Sequence, residues 1–233
     1  MAESEAQKLP TIAILGGTGK EGPGLALRWA HAGYPVIIGS RQAEKAQRVA
    51  ADLNASLGRE HIRGAENSQA ARQADICVLT IVQEAHTVAV ESLKEHLAGK
   101  IVVDATARVD FRDPRPPAPP SAARLAQDIL GNRARVVAAF QNVPAHALRK
   151  DPAVPLDADV LVCADDLDAA DQVMTLARAA GMRAYYAGGL DNAVVVEGLT
   201  AILISLNKYY GIKTASIHIS GVTGSRPPGE QRD

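Results

Sequence analysis

From residue 11 onward, short apolar runs alternate with segments of helical spacing, and that alternation leaves few folds open. "TIAIL" (11–15) is followed by "EGPGLALRWAHAG", in which Leu25, Leu27, Trp29 and Ala30 recur at mixed helical spacing. "YPVIIG" (34–39) is followed by the polar helical pattern "QAEKAQRVAADLNASL". Two strand–helix units in succession indicate crossovers and parallel pairing. A short strand is expected near Ile62, then a brief helix at "ENSQAARQA", a strand at "DICVLTIV" (75–82), a helix at "HTVAVESLKEHLA" and a strand at "KIVVDAT" (100–106). "FRDPRPPAPPSAA" (111–123) is too rich in proline for a sheet interior and reads as a loop, before the helix "AARLAQDILG" and the strand "ARVVAAF". Strands this apolar on both faces suit a sheet covered by helices on each side.

Past residue 150 the rhythm changes to "DADVLVCA", the helix "LDAADQVMTLARAAG", the strand "MRAYYAG" and a long helix from Asn192 to Tyr210. "ASIHIS" reads as a last short strand. The expected fold is α/β, a Rossmann-type doubly wound parallel sheet with a small C-terminal α/β extension. Its expected parts are a polar tail (1–10), a nucleotide-binding domain (11–150), a small C-terminal domain (151–222) and a disordered tail (223–233).

Composition narrows the function classes. Lysine and arginine total 25 against 26 acidic residues, a formal charge of −1, so no overall field attracts nucleic acid or an anionic membrane. Cys77 and Cys163 each lie in an apolar strand pattern and read as buried reduced thiols, which suits a cytoplasmic protein. The start "MAESEAQKLP" lacks the basic and apolar regions of a secretory signal. "AVVVEGLTAILISL" is interrupted by Glu197 and reads as a buried helix rather than a membrane span.

The candidate site lies behind the first strand. In "ILGGTGKEGPG", Gly17, Gly19 and Gly22 satisfy G-x-G-x-x-G, and Gly16, Gly19 and Gly22 satisfy G-x-x-G-x-x-G. Between a strand and a helix, such glycines permit a tight turn, close approach of backbone to a pyrophosphate, and close helix–strand packing. At the end of the second strand, a carboxylate would accept the ribose hydroxyls of NAD. Here the chain reads "IIGSRQAEKA": Ser40 and Arg41 offer a hydroxyl and a fork of donors suited to the 2′-phosphate of NADP, with Lys45 one helical turn on. Ser40 also reads as a helix N-cap.

Catalytic and metal motifs are missing from the sequence: there is no metal-spaced cluster, G-x-S-x-G elbow or Y-x-x-x-K pair. His86 and His146, after the fourth and sixth strands, are the candidate proton donors near the nicotinamide end. Such an absence suits an acceptor that is itself an electron sink and needs orientation more than acid or base help.

The glycine segment, with "ADICVLTIV", "KIVVDAT", "RVVAAFQNVPAHAL" and "VEGLTAILISLNKYYGIKTASIHISGV", resembles the NADPH-dependent reductases of coenzyme F420, a deazaflavin, over residues 11 to 222. The resemblance implies a homodimer that moves hydride between NADP(H) and the deazaflavin. It implies that Thr18, Gly19, Lys20 and Glu21 line the pyrophosphate, and that Ser40, Arg41 and Lys45 take the 2′-phosphate. Gln83, Thr87 and Ala145 would meet the nicotinamide half, with Gln141, Asn142, Val143, Pro144 and Ala215 flanking the deazaflavin. Arg108, Arg112 and Lys213 are candidate cations for its phosphate and acidic tail. Two other functions share the nucleotide domain: reduction by NADPH of a ferric chelate, flavin or imine, and a non-enzymatic NADP-binding sensor.

Overall fold

The computed structural model describes residues 8–222. The early half contains β1 (Ile12–Leu15), α1 (Gly22–His31), β2 (Val36–Ser40), α2 (Ala43–Leu57), β3 (Ile62–Glu66), α3 (Asn67–Gln73), β4 (Ile76–Leu79), α4 (Gln83–Leu97) and β5 (Ile101–Asp104). The later half contains α5 (Ala122–Leu130), β6 (Arg135–Ala138), α6 (Ala145–Leu148), β7 (Asp159–Ala164), α7 (Leu167–Ala179), β8 (Arg183–Tyr186) and α8 (Ala193–Tyr210). All eight strands join one sheet in the order β3-β2-β1-β4-β5-β6-β7-β8.

Pairing is parallel from β3 through β6, with Ile14 of β1 opposite Ile38 on one side and Val78 on the other. The chain order therefore reverses beside β1, where open α/β sheets place their ligands at the carboxyl edge. β7 turns back antiparallel to β6, with Val137 opposite Ala164, and β8 follows it parallel. Because β7 runs the other way, its first residue, Asp159, lies at the carboxyl edge of the first six strands. The Asn142 amide spans this edge, donating to the Asp159 carbonyl at 2.6 Å.

Strands β1, β2, β4 and β5 are buried on both faces, as their continuous apolar runs predict. On one face, Ile12, Ile14, Ile38 and Val78 pack with Leu25 and Trp29 of α1 and with Val173 and Leu176 of α7. On the other, Leu15, Cys77, Leu79 and Val102 pack with Val90, Leu93 and Leu97 of α4 and with Ala126 and Leu130 of α5. Trp29 closes the first layer: its indole N–H donates to the Leu176 carbonyl at 2.9 Å, and its ring meets Phe140 edge-on at 5.7 Å. Cys77 and Cys163 are buried thiols, and desolvation pushes them up to about 12 and about 11.

Two local expectations need correction. "ASIHIS" forms no strand: Ile217 accepts one backbone hydrogen bond from Asp159, and the Ile219 N–H goes to the Asp159 carboxylate instead of continuing a ladder. The long helix is not buried all round. Residues Leu190–Tyr210 are long and apolar enough to cross a membrane by length and composition, with mean hydropathy 1.4. Yet Glu197 is fully buried on the inner face of α8, where its Oε2 accepts from Arg108 Nε at 3.0 Å and its Oε1 from the Ala122 N–H at 2.6 Å. Val195, Ile202, Leu206, Tyr209 and Tyr210 remain exposed on the outside. The expected tail at 223–233 and most of that at 1–10 lie outside the described residues.

Candidate functional site

The glycine segment turns tightly off β1. Gly16 adopts φ +73°, a left-handed conformation that costs a side chain free energy, and its N–H donates to the Asn67 side chain at 3.1 Å. The Gly17 N–H donates to the carbonyls of Ile14 and Gly39, fixing the turn between β1 and β2. A Cβ on Gly22 would stand 2.6 Å from the Gly17 Cα, so α1 can pass this close to the turn only with glycine there. The N-terminus of α1 carries Pro23 in its first turn and no side-chain cap. An uncapped helix N-terminus behind a glycine turn is the backbone arrangement that receives a pyrophosphate.

The expected 2′-phosphate residues stand at the end of β2. Ser40 is buried, and its hydroxyl accepts from the Gln42 N–H at 3.2 Å. It therefore braces the turn before α2, whose N-cap is Gln42 rather than Ser40. Arg41 and Lys45 are exposed, and among the described residues neither side chain has a hydrogen-bond or ion-pair partner. Arg149, at the end of α6, extends the cationic rim: its Nη2 donates to the carbonyls of Gly19 and Lys20 at 3.2 and 3.1 Å. The Lys20 ammonium lies 5.5 Å from the centroid of the Phe111 ring, which brings the proline-rich loop against the glycine turn.

The remaining site residues collect farther along the same edge. Gln83 and Thr87 are exposed on the first turns of α4, and Ala145 opens α6. Phe140 holds φ +79°, an unusual conformation for a non-glycine residue, and the chain after it turns Gln141 and Asn142 into the sheet edge. Gln141 Nε2 donates to the Asp104 carbonyl at 2.8 Å, while its Oε1 and the Asn142 Oδ1 are buried without partners. Val143 is buried and Pro144 half-buried beside them. Ala215 is joined to α8 through the Asn207 side chain at 2.9 Å, and the neighbouring Ile217 bonds to Asp159. His146 is exposed on α6. Arg108 is tied to Glu197, which sets it apart from a free surface cation.

The sequence singled out His86 but missed its partner. His86 Nε2 lies 2.6 Å from Asp104 Oδ2, and both side chains are buried. Asp104 Oδ1 accepts from the Thr106 N–H at 3.0 Å. Burial opposes a charge on His86, yet the Asp104 hydrogen bond and the negative fields of Asp104 and Glu197 outweigh it, so its pKa is raised. Glu21, at the N-cap of α1, is pushed up to about 8 by desolvation and then by the charge of Asp104. Asn67 and Asp104 carried only weak signals: a polar residue opening a helix and an acid ending an apolar strand.

Three comparisons bear on this arrangement. The family model for the coenzyme F420-dependent NADP oxidoreductases matches residues 11–108, which span the glycine turn, the end of β2 and the His86–Asp104 pair. The F420-dependent NADP reductase of Methanothermobacter thermautotrophicus is 39% identical over 91% of this chain and 95% of that protein. The enzyme of the same name from Methanocaldococcus jannaschii is 40% identical over 91% and 98%. A crystal structure from Arthrobacter sp. FB24, described as a candidate F420-dependent NADP reductase, superposes with a TM-score of 0.74 at 28% identity, covering 91% of this chain and 99% of that one. The sheet order, the uncapped glycine turn and relatives matched almost end to end agree, and the chain belongs to the coenzyme F420-dependent NADP oxidoreductase family.

Proposed function

We propose that this protein transfers a hydride between NADP(H) and the deazaflavin coenzyme F420, chiefly by setting the two reacting rings against each other. The observation that carries the NADP half is the end of β2, where Ser40 and Arg41 stand in place of a carboxylate and Arg41 has no partner among the described residues. An unpaired guanidinium is poised for a phosphate and gives no advantage to a bare ribose hydroxyl. The deazaflavin half rests on residues 141–144 and the neighbourhood of Ala215, which meet at the carboxyl edge where β7 begins. Segment 151–222 then carries the deazaflavin side of the site and the subunit contact, beside a nucleotide-binding part at 11–150.

The direct test mixes purified protein with NADPH and oxidised deazaflavin and follows the deazaflavin absorbance. Bleaching is expected; intact NADPH binding without bleaching rejects the activity, and bleaching of a flavin or reduction of a ferric chelate in its place selects another acceptor. A charge-assisted hydrogen bond contributes about 1.5–3 kcal/mol, so Arg41→Ala is expected to raise the KM for NADPH roughly ten- to a hundredfold. The KM for NADH should hardly move, and equal effects on the two cofactors would remove Arg41 from the 2′-phosphate site.

The working unit in this reading is a cytoplasmic homodimer with small coenzymes as partners. Its support is the outer face of α8, where Ile202, Leu206, Tyr209 and Tyr210 border an open cleft of about 330 Å³ closed by Pro114 and Pro116. Exposed apolar area of this kind marks an interaction surface. Ile202→Asp places an unpaired charge there and is expected to shift the protein from dimer to monomer in sedimentation. A wild-type protein that sediments as a monomer, or one that partitions into lipid vesicles, would overturn the second-copy reading.

A further inference from the structure

The glycine turn is held from behind by a residue far along the chain. Arg149, the C-cap of α6, donates through Nη2 to the Gly19 carbonyl at 3.2 Å and to the Lys20 carbonyl at 3.1 Å, across 130 and 129 residues. α6 is itself firmly seated on α1. A Cβ on Gly24 of α1 would stand 2.5 Å from the Leu148 Cβ, so Leu148 rests directly against the α1 backbone, and Arg28 Nε donates to the Leu148 carbonyl at 3.1 Å. The residue before Arg149 is therefore fixed, and the guanidinium reaches the turn from a rigid base.

The two carbonyls decide where two amides point. The Gly19–Lys20 and Lys20–Glu21 peptide bonds are trans, so each carbonyl and the N–H of the same peptide face in opposite directions. With both carbonyls drawn to Arg149, the Lys20 and Glu21 N–H groups face away from it. Neither N–H has a hydrogen-bond partner among the described residues. The Lys20 ammonium is engaged elsewhere, 5.5 Å from the centroid of the Phe111 ring. No acid pairs with the Arg149 guanidinium among the described residues, so its charge acts on the turn undiminished. A cation bound to a peptide oxygen polarises that peptide and strengthens its N–H as a donor, as in any chain of hydrogen bonds.

We infer that Arg149 is a positioning residue for the cofactor pyrophosphate: it holds the glycine turn by its carbonyls so that the Lys20 and Glu21 amides are presented to the phosphates. This rests on the NADP(H) reading above, with the pyrophosphate at the glycine turn. The role differs in kind from that of Arg41. A 2′-phosphate distinguishes NADPH from NADH, whereas the pyrophosphate is common to both. Arg149 therefore adds equal affinity for the two cofactors and none for a ligand without a pyrophosphate.

The test is calorimetric titration of NADPH, NADH and adenosine 2′-monophosphate into wild type, Arg149→Ala, Arg149→Lys and Gly19→Val, with a melting curve for each protein. Charge-assisted hydrogen bonds are roughly twice as strong as neutral ones, and Arg149→Ala should weaken NADPH and NADH alike by roughly tenfold. Adenosine 2′-monophosphate should bind as it does to wild type, and Arg149→Lys should recover part of the loss. Because Arg149 is exposed, the melting temperature of Arg149→Ala should stay within about 3 °C of wild type. Gly19→Val tests the turn itself: the nearest atom to an added Cβ is the Gly16 oxygen at 3.7 Å, so the variant should fold while crowding the turn and losing both cofactors. If Gly19→Val loses both cofactors, the proposal alone is overturned by any of three results for Arg149→Ala: wild-type affinity for both, weakening of NADPH only, or equal weakening of adenosine 2′-monophosphate. A folded Gly19→Val with full affinity for both cofactors overturns the pyrophosphate reading and the proposal with it.

Discussion

Arg28→Ala is expected to lower the stability of this protein by about 3–5 kcal/mol, the range for removing one partner from a buried charged network. The guanidinium is 1% exposed and works as a four-way clamp. Its Nε donates to the Leu148 carbonyl at 3.1 Å, Nη1 to Val154 at 3.1 Å and Ala180 at 3.2 Å, and Nη2 to Asp151 at 3.4 Å. Burial lowers its pKa, and the Asp151 charge acts in the opposite sense. Truncation leaves these carbonyls short of donors and opens a cavity where the stem packed, and both terms destabilise. In a protein of this size, the loss corresponds to a fall in Tm of roughly 10 °C. Arg28→Met should still lose most of that stability, because the methionine stem restores packing but returns no donor. A melt within 2–3 °C of wild type for Arg28→Met would mean that the clamp contributes packing only.

Arg28 also shows where sequence reading stops. Within "LALRWAHAG" it reads as a polar residue on an amphipathic helix, and nothing nearby in the chain predicts that four carbonyls from residues 148–180 will converge on it. The parallel strands were legible because burial on both faces forces continuous apolar runs, and the glycine turn was legible because its geometry excludes side chains. Arg41 is proposed from sequence because it stands where an acid would at a fixed place after the second strand, and the structure shows it exposed there. Local pattern did not foretell Asp104, which ends a strand as many polar residues do, nor Asn67, which opens a helix in the ordinary way. Their roles arise from contacts between elements apart in sequence: Asn67 meets Gly16 across 51 residues, and His86 meets Asp104 across 18. The long apolar helix misled for the converse reason. Its composition suggests cover all round, yet only the face that carries Glu197 is buried, while Val195, Ile202, Leu206, Tyr209 and Tyr210 are exposed.

Glu21→Gln should make the free protein more stable at neutral pH. The folded protein holds the Glu21 proton up to about 8, whereas the unfolded chain releases it near 4.5. Between those values the folded state binds the extra proton, so stability falls as pH rises through the window. A shift of this size corresponds to a few kcal/mol, fully expressed only above pH 8. Glutamine is nearly isosteric and cannot ionise, so it escapes the cost of a buried carboxylate facing Asp104. The Tm of wild type should therefore decline from pH 5 to 8, while that of Glu21→Gln stays nearly flat over the same range, with the gap widest at the upper end. Parallel melting curves for the two proteins would show that Glu21 ionises as freely in the fold as outside it, and would take away the reason for it to carry a proton at pH 7. A divergence in stability would mark Glu21 as a place in the glycine turn where the fold keeps a side chain less stable than its neutral counterpart.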